Sequence, residues 1–149
     1  MKKILVACLG NIFYGDDAFG VEVAKILCEK DLSQNIKVKD FGIRGMDLAF
    51  EVSEEYDLVI LVDTVKFGAN AGTVFVLEPK TTENSAVLTH DLTPDKALQF
   101  AQLFSTKPKK MLLIGCEPAN LEFNSEMSEV VKNAIEKAVG KILEMIKTQ

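Results

Sequence analysis

The 149-residue chain is poor in cysteine (three), proline (four), glycine (nine) and histidine (one). No apolar run approaches the ~18 residues of a membrane span. So little glycine and proline, in a chain that is 48% apolar and 26% charged, excludes collagen-like repeats, low-complexity linkers and disorder. Cys8, Cys28 and Cys116 are odd in number and far apart, which excludes a disulfide framework and a CxxC zinc or redox site. They are expected to be small buried apolar residues in a reducing cytoplasm. Leu5-Val6-Ala7-Cys8 imitates a lipoprotein cleavage box, yet only Ile4 to Ala7 precede the cysteine, where a signal peptide needs ~7 to 15 apolar residues. The expected protein is therefore cytoplasmic, with no membrane partner. Basic residues are also short, 17 against 22 acidic for a net charge of −5, so nothing in the composition calls for nucleic acid. The length suits one domain, residues 1–149.

What is present alternates between two periods. Ile4 to Leu9 and Leu58 to Val62 are unbroken apolar runs, as strands buried on both faces inside a parallel sheet require, and Met111 to Ile114 is a third, ending at Gly115. Ile36 and Val38 alternate with Lys37 and Lys39 as in a more exposed strand, and Gly42 to Gly45 are expected to turn into a short helix over 46–52. Thr73 to Leu77 predicts an edge strand closed by Pro79. Helical stripes run over Ala18 to Cys28 and from Val131 to Ile146, and Thr93-Pro94-Asp95 predicts a capped helix to about residue 104. The alternation predicts an α/β fold: three layers around an open twisted sheet of about five mostly parallel strands, one edge strand antiparallel, helices on both faces. In such sheets ligands bind beyond the carboxyl ends of the strands, where the order reverses. With an order beginning 2-1-3, the loops after the first and third strands meet there.

Those loops hold the carboxylates. Asp16 and Asp17 follow Gly10-Asn11 in the first, and one of them, Asp16, is expected to cap the following helix. The glycine spacing matches neither a dinucleotide fingerprint nor a P-loop. Asp63 ends the buried run at Val62; it either bonds the next loop through Thr64 and Val65 or serves chemistry. His90 lies in a loop between Thr89 and Asp91. Together Asp17, Asp63 and His90 could give a divalent metal two hard oxygens and one imidazole nitrogen, with positions left open. That donor set suits Zn2+, Ni2+ or Mn2+ in a catalytic rather than a structural site.

With these residues in view the chain resembles the hydrogenase maturation proteases, which trim the C-terminus of the large-subunit precursor of nickel-iron hydrogenases. The likeness rests on Gly10-Asn11 with Asp16-Asp17, Asp40-x-Gly42, Gly45-Met46, Val62-Asp63 and the late histidine. It implies an α/β fold with a twisted five-stranded sheet and an aspartyl-type endopeptidase acting on that precursor, expected as a monomer. It implies further that Asp17, Asp63 and His90 are the catalytic and metal-binding residues. They would sense Ni2+ already placed in the precursor, Zn2+ or another divalent ion fitting the same ligands, and the resting enzyme need hold no metal. Asp16, Asp40, Gly42 and Arg44 are expected on the substrate side. Two departures stand out: Asp40-Phe41-Gly42-Ile43 replaces the frequent Asp-Gly-Gly-Thr and is followed by Arg44, and Ala18 replaces a glycine common after the acidic pair.

Other readings give different expectations. A noncatalytic or divergent member would bind another metalloprotein precursor. A receiver-like domain would use the acidic pair and Asp63 to bind Mg2+ and accept phosphate, but it needs a lysine where this chain has Gly115-Cys116-Glu117-Pro118.

Overall fold

A computed structural model of the chain describes residues 2–43, 51, 56–78 and 109–149. His90, Arg44, the loop over 80–92 and the helix expected over 93–104 lie outside the described residues, as does the helix over 46–52 apart from Glu51. Five strands form one sheet: β1 (Ile4–Leu9), β2 (Ile36–Gly42), β3 (Leu58–Thr64), β4 (Val74–Leu77) and β5 (Met111–Cys116). Their order is β2-β1-β3-β5-β4, with β4 alone antiparallel, so the sequence begins 2-1-3 and the edge strand falls where Pro79 suggested.

The apolar runs become the three central strands because both of their faces are covered: every residue of β1, β3 and β5 is buried. On one face lie two helices, α1 (Phe19–Cys28) and α2 (Glu129–Lys147). They set Phe19, Val23 and Leu27, with Val131, Ala138 and Ile142, against Val6, Ile60 and Ile114. The other face buries Leu5, Leu9, Val59, Leu61 and Leu113 with Phe41. Each such side chain contributes roughly 1.5–3 kcal/mol of transfer free energy. Among the described residues no helix is long and apolar enough to cross a membrane.

Three strands outrun the sequence pattern. The ladder carries β3 on through Asp63 and Thr64, paired with Gly115 and Cys116 of β5. Gly115 therefore continues a strand rather than ending it, and its bare Cα leaves room for the Val65 side chain. Likewise β2 runs to Gly42, which pairs with Leu9 across a register shift, where a turn was expected to start. Cys8 and Cys116 are buried as expected, but Cys28 is exposed, because it closes α1 where the stripe that buries Leu27 runs out.

Helix α1 starts hard against the carboxyl ends of β1 and β3. A Cβ at Gly20 would overlap the Leu9 and Val62 carbonyl oxygens, so glycine is required for that approach. Ala18 stands in an ordinary right-handed conformation, φ −74° and ψ −3°, so the glycine replaced there removes no needed freedom.

Candidate functional site

The parallel ladder places Cys8 beside Val62, so the chain leaves β1 directly next to Asp63 and Thr64. The loop from Gly10 then folds back toward α1, and the Asp17 carbonyl comes so close to Gly10 that a Cβ there would overlap it. This return brings the Asp17 carboxylate over the end of β3. Its Oδ1 accepts from Thr64 Oγ1 at 2.7 Å and its Oδ2 from the Asn11 amide at 3.0 Å. The Thr64 amide in turn donates to Asp63 Oδ1 at 2.8 Å. One buried threonine thus holds both carboxylates, its hydroxyl on Asp17 and its amide on Asp63. The two expected loops meet as the strand order requires.

Asp63 is 1% exposed while Asp17 is only half-buried, so the pair grades from the sheet toward solvent. A carboxylate oxygen carries two lone pairs and can accept a hydrogen bond or bind a cation. The donors that fit are hard oxygens, suited to a divalent ion or to a polarised water. Among the described residues no three His, Cys, Asp or Glu side chains stand together as a metal site. The third donor of the expected set, His90, lies outside them. Thiolate chemistry is disfavoured here. Burial, with Asp40 and Asp63 nearby, raises the Cys8 thiol far above its ordinary value, and burial with Asp16 and Glu117 pushes Cys116 up to about 12.

Asp16 overturns two expectations. It caps no helix: the Gly15–Ala18 turn points its side chain away from α1, whose N-cap residue is Ala18 with no side-chain bond. It also faces the chain rather than a substrate. Fully buried, Oδ2 accepts from the amides of Ala119 and Asn120, both at 2.8 Å, and Oδ1 accepts from the Ser128 amide at 2.7 Å. Ser128 Oγ lies at 2.8 and 2.7 Å from the two oxygens. Burial alone would raise this carboxyl, but the bonds from Ser128, Asn120 and Ala119 outweigh it and hold it below the usual carboxylate range. Asp16 therefore ties the first loop to the segment leading into α2.

Asp40 and Gly42 flank the same loop. The Gly42 amide donates to Asp40 Oδ1 at 2.8 Å and the Gly42 carbonyl accepts from the Gly10 amide at 2.9 Å. The Thr64 amide bond to Asp63 is the backbone contact the sequence offered, but two features escaped the sequence reading: the Thr64 hydroxyl bond to Asp17, and Glu117, 5% exposed, which accepts from the amides of Phe67 at 2.9 Å and Ala69 at 3.0 Å. Glu117 carries the signal that singled out Asp63: an acid directly after a wholly apolar strand.

An aspartate pair thus stands at the switch point of an open α/β sheet, joined through Thr64. The sequence profile of the hydrogenase maturation proteases matches residues 21–145, and the chain belongs to that family of peptidases. It is 32% identical over 147 residues to the hydrogenase expression/formation protein HupD of Rhizobium leguminosarum bv. viciae, covering 92% of this chain and 72% of that one. With a putative hydrogenase maturation protease of Methanocaldococcus jannaschii it shares 30% identity over 150 residues, covering 98% and 97%. Its fold superposes on the hydrogenase maturating endopeptidase HybD from E. coli with a TM-score of 0.85 at 28% identity, covering 98% of this chain and 93% of that one. A [NiFe] hydrogenase maturation protease HycI from Thermococcus kodakarensis gives 0.79 at 29% identity, covering 98% and 93%.

Proposed function

We propose that this peptidase removes a C-terminal peptide from a nickel-iron hydrogenase large-subunit precursor and that Asp17, Asp63 and His90 engage the nickel the precursor carries. The observation that carries this reading is the link through Thr64, which joins carboxylates from two separate strand ends. Nickel bound in a precursor brings its own ligands, and a site offering two hard oxygens and an imidazole completes its coordination without a resident metal. A Zn2+ or other divalent ion would fit the same ligands. Hydrolysis adds water across one peptide bond, leaving a new carboxylate on the precursor and a free amine on the released peptide. Asp40 and Gly42 border the cleft on the β2 side, and Arg44 is assigned to an acidic group of the precursor or to the carboxylate of its extension.

The test incubates the protein with nickel-loaded and nickel-free precursor and weighs the products. Loss of C-terminal mass from the loaded form alone is the expected result. Cleavage of both forms equally would remove the metal-sensing role, and cleavage of neither would remove the substrate assignment.

A further inference from the structure

Of the seven exposed large apolar side chains among the described residues, four cluster in the first loop and just before α2. Ile12, Phe13 and Tyr14 in the first loop and Phe123 before α2 are 57%, 58%, 42% and 67% exposed. The Tyr14 and Phe123 rings meet at 5.4 Å, which joins the two segments into one surface. Soluble proteins seldom leave such clusters uncovered unless a partner uses them.

The surface is held in shape. The Phe13 amide donates to Asn11 Oδ1 at 3.0 Å, the Tyr14 amide to the Asn11 carbonyl at 3.2 Å, and the Asn124 amide to the Phe13 carbonyl. Asp16 fastens the loop behind them. A preorganised aromatic surface loses little entropy when it is covered. It is also continuous with the site, since the amide of Asn11, next to Ile12, donates to Asp17 Oδ2.

Charge is uneven within the two loops that form it. The two loops that carry these side chains, residues 10–18 and 117–128, contain no lysine or arginine, although the chain holds 17. They do contain Glu122 and Glu126, both exposed on either side of Phe123. An apolar centre with an acidic rim complements an apolar segment flanked by basic residues.

We infer that Ile12, Phe13, Tyr14 and Phe123 form the docking surface for an apolar, lysine- or arginine-flanked segment of the protein substrate, next to the cleavage site. The inference rests on the proposed precursor cleavage, so binding and cleavage are measured separately with nickel-loaded precursor. Phe13→Asp and Phe123→Asp are expected to weaken precursor binding at least tenfold and to raise KM with kcat little changed. Val76→Asp, an exposed apolar position on β4, is expected to alter binding less than twofold. Replacing Glu122 and Glu126 together by glutamine should flatten the salt dependence of binding. A photo-crosslinker at position 123 should capture the precursor. Wild-type affinity in both phenylalanine variants, or crosslinks to a second copy or to the same chain, would overturn the surface while leaving cleavage intact. Wild-type protein that binds but trims neither precursor form would instead overturn the cleavage reading and keep the surface. Absence of both binding and cleavage would remove both.

Discussion

At the edge where the parallel strands begin, Asp57 accepts from the Lys3 amide at 2.7 Å and pairs with Lys109 at 3.1 Å. Lys109 is 72% exposed, so water and salt screen that pair. At the edge where they end, Asp16, Asp63 and Glu117 are buried and receive hydrogen bonds from amides and hydroxyls. The first arrangement cancels charge with charge. The second surrounds charge with hydrogen-bond donors, and at Asp16 these donors hold the carboxyl below its usual range. Fixed negative potential in a low-dielectric opening is what attracts a cation or orients a water.

The sharpest way to break this contrast is at the reactive pair. Asp63→Asn, like His90→Ala, should lower precursor cleavage by roughly 10²- to 10⁴-fold while the thermal transition is kept. Near wild-type rates by product mass would end the assignment. Next is Asp16→Ala, which strands the amides of Ala119, Asn120 and Ser128. It should cost about 3 kcal/mol and shift Tm down by roughly 6–12 °C, whereas Asp17→Asn should leave Tm nearly unchanged and abolish cleavage. Equal melting of the two variants would show that the neighbours do not differ in role.

A third test uses pH. Folding holds the Asp16 carboxyl below its usual range, so the unfolded chain binds that proton more tightly. Its stabilisation is complete above the unfolded value near ~4 and disappears as pH falls through the lower folded value. Melting between pH 5 and 2 should therefore fall more steeply for wild type than for Asp16→Asn. Parallel curves would refute the linkage. The smallest effect belongs to the opposite edge, where Lys109→Ala should move Tm by no more than ~2 °C. A larger loss would mean that the exposed pair carries weight the contrast denies it.

Much of the frame was legible in advance because burial on both faces of a parallel strand leaves an unmistakable apolar run. Ile4–Leu9, Leu58–Val62 and the stripe of α2 mark their elements closely, while the 2-1-3 order, in the sequence only a condition, is set by the ladder pairing. The ends were harder. Thr64, Gly115 and Cys116 continue their strands through backbone pairing, which no hydropathy pattern records. The site divides the same way. Asp17 and Asp63 stood out as acids at strand ends, but Asp16 looks identical to its neighbour in sequence. Only donors more than a hundred residues away, at Ala119, Asn120 and Ser128, distinguish it.

The sequence by itself determined the mostly parallel sheet, the strands that carry the core and the family, since each depends on local periodicity or on short motifs. Tertiary structure decided which of the two neighbouring carboxylates is buried against the chain and which is left half-buried. That choice depends on where distant backbone amides converge, on one threonine bridging two strand ends, and on the loop geometry that gathers exposed rings beside them. The scarcity of basic residues, at first only a reason to exclude nucleic acid, became local information once the fold tied the loop over 10–18 to the segment over 117–128.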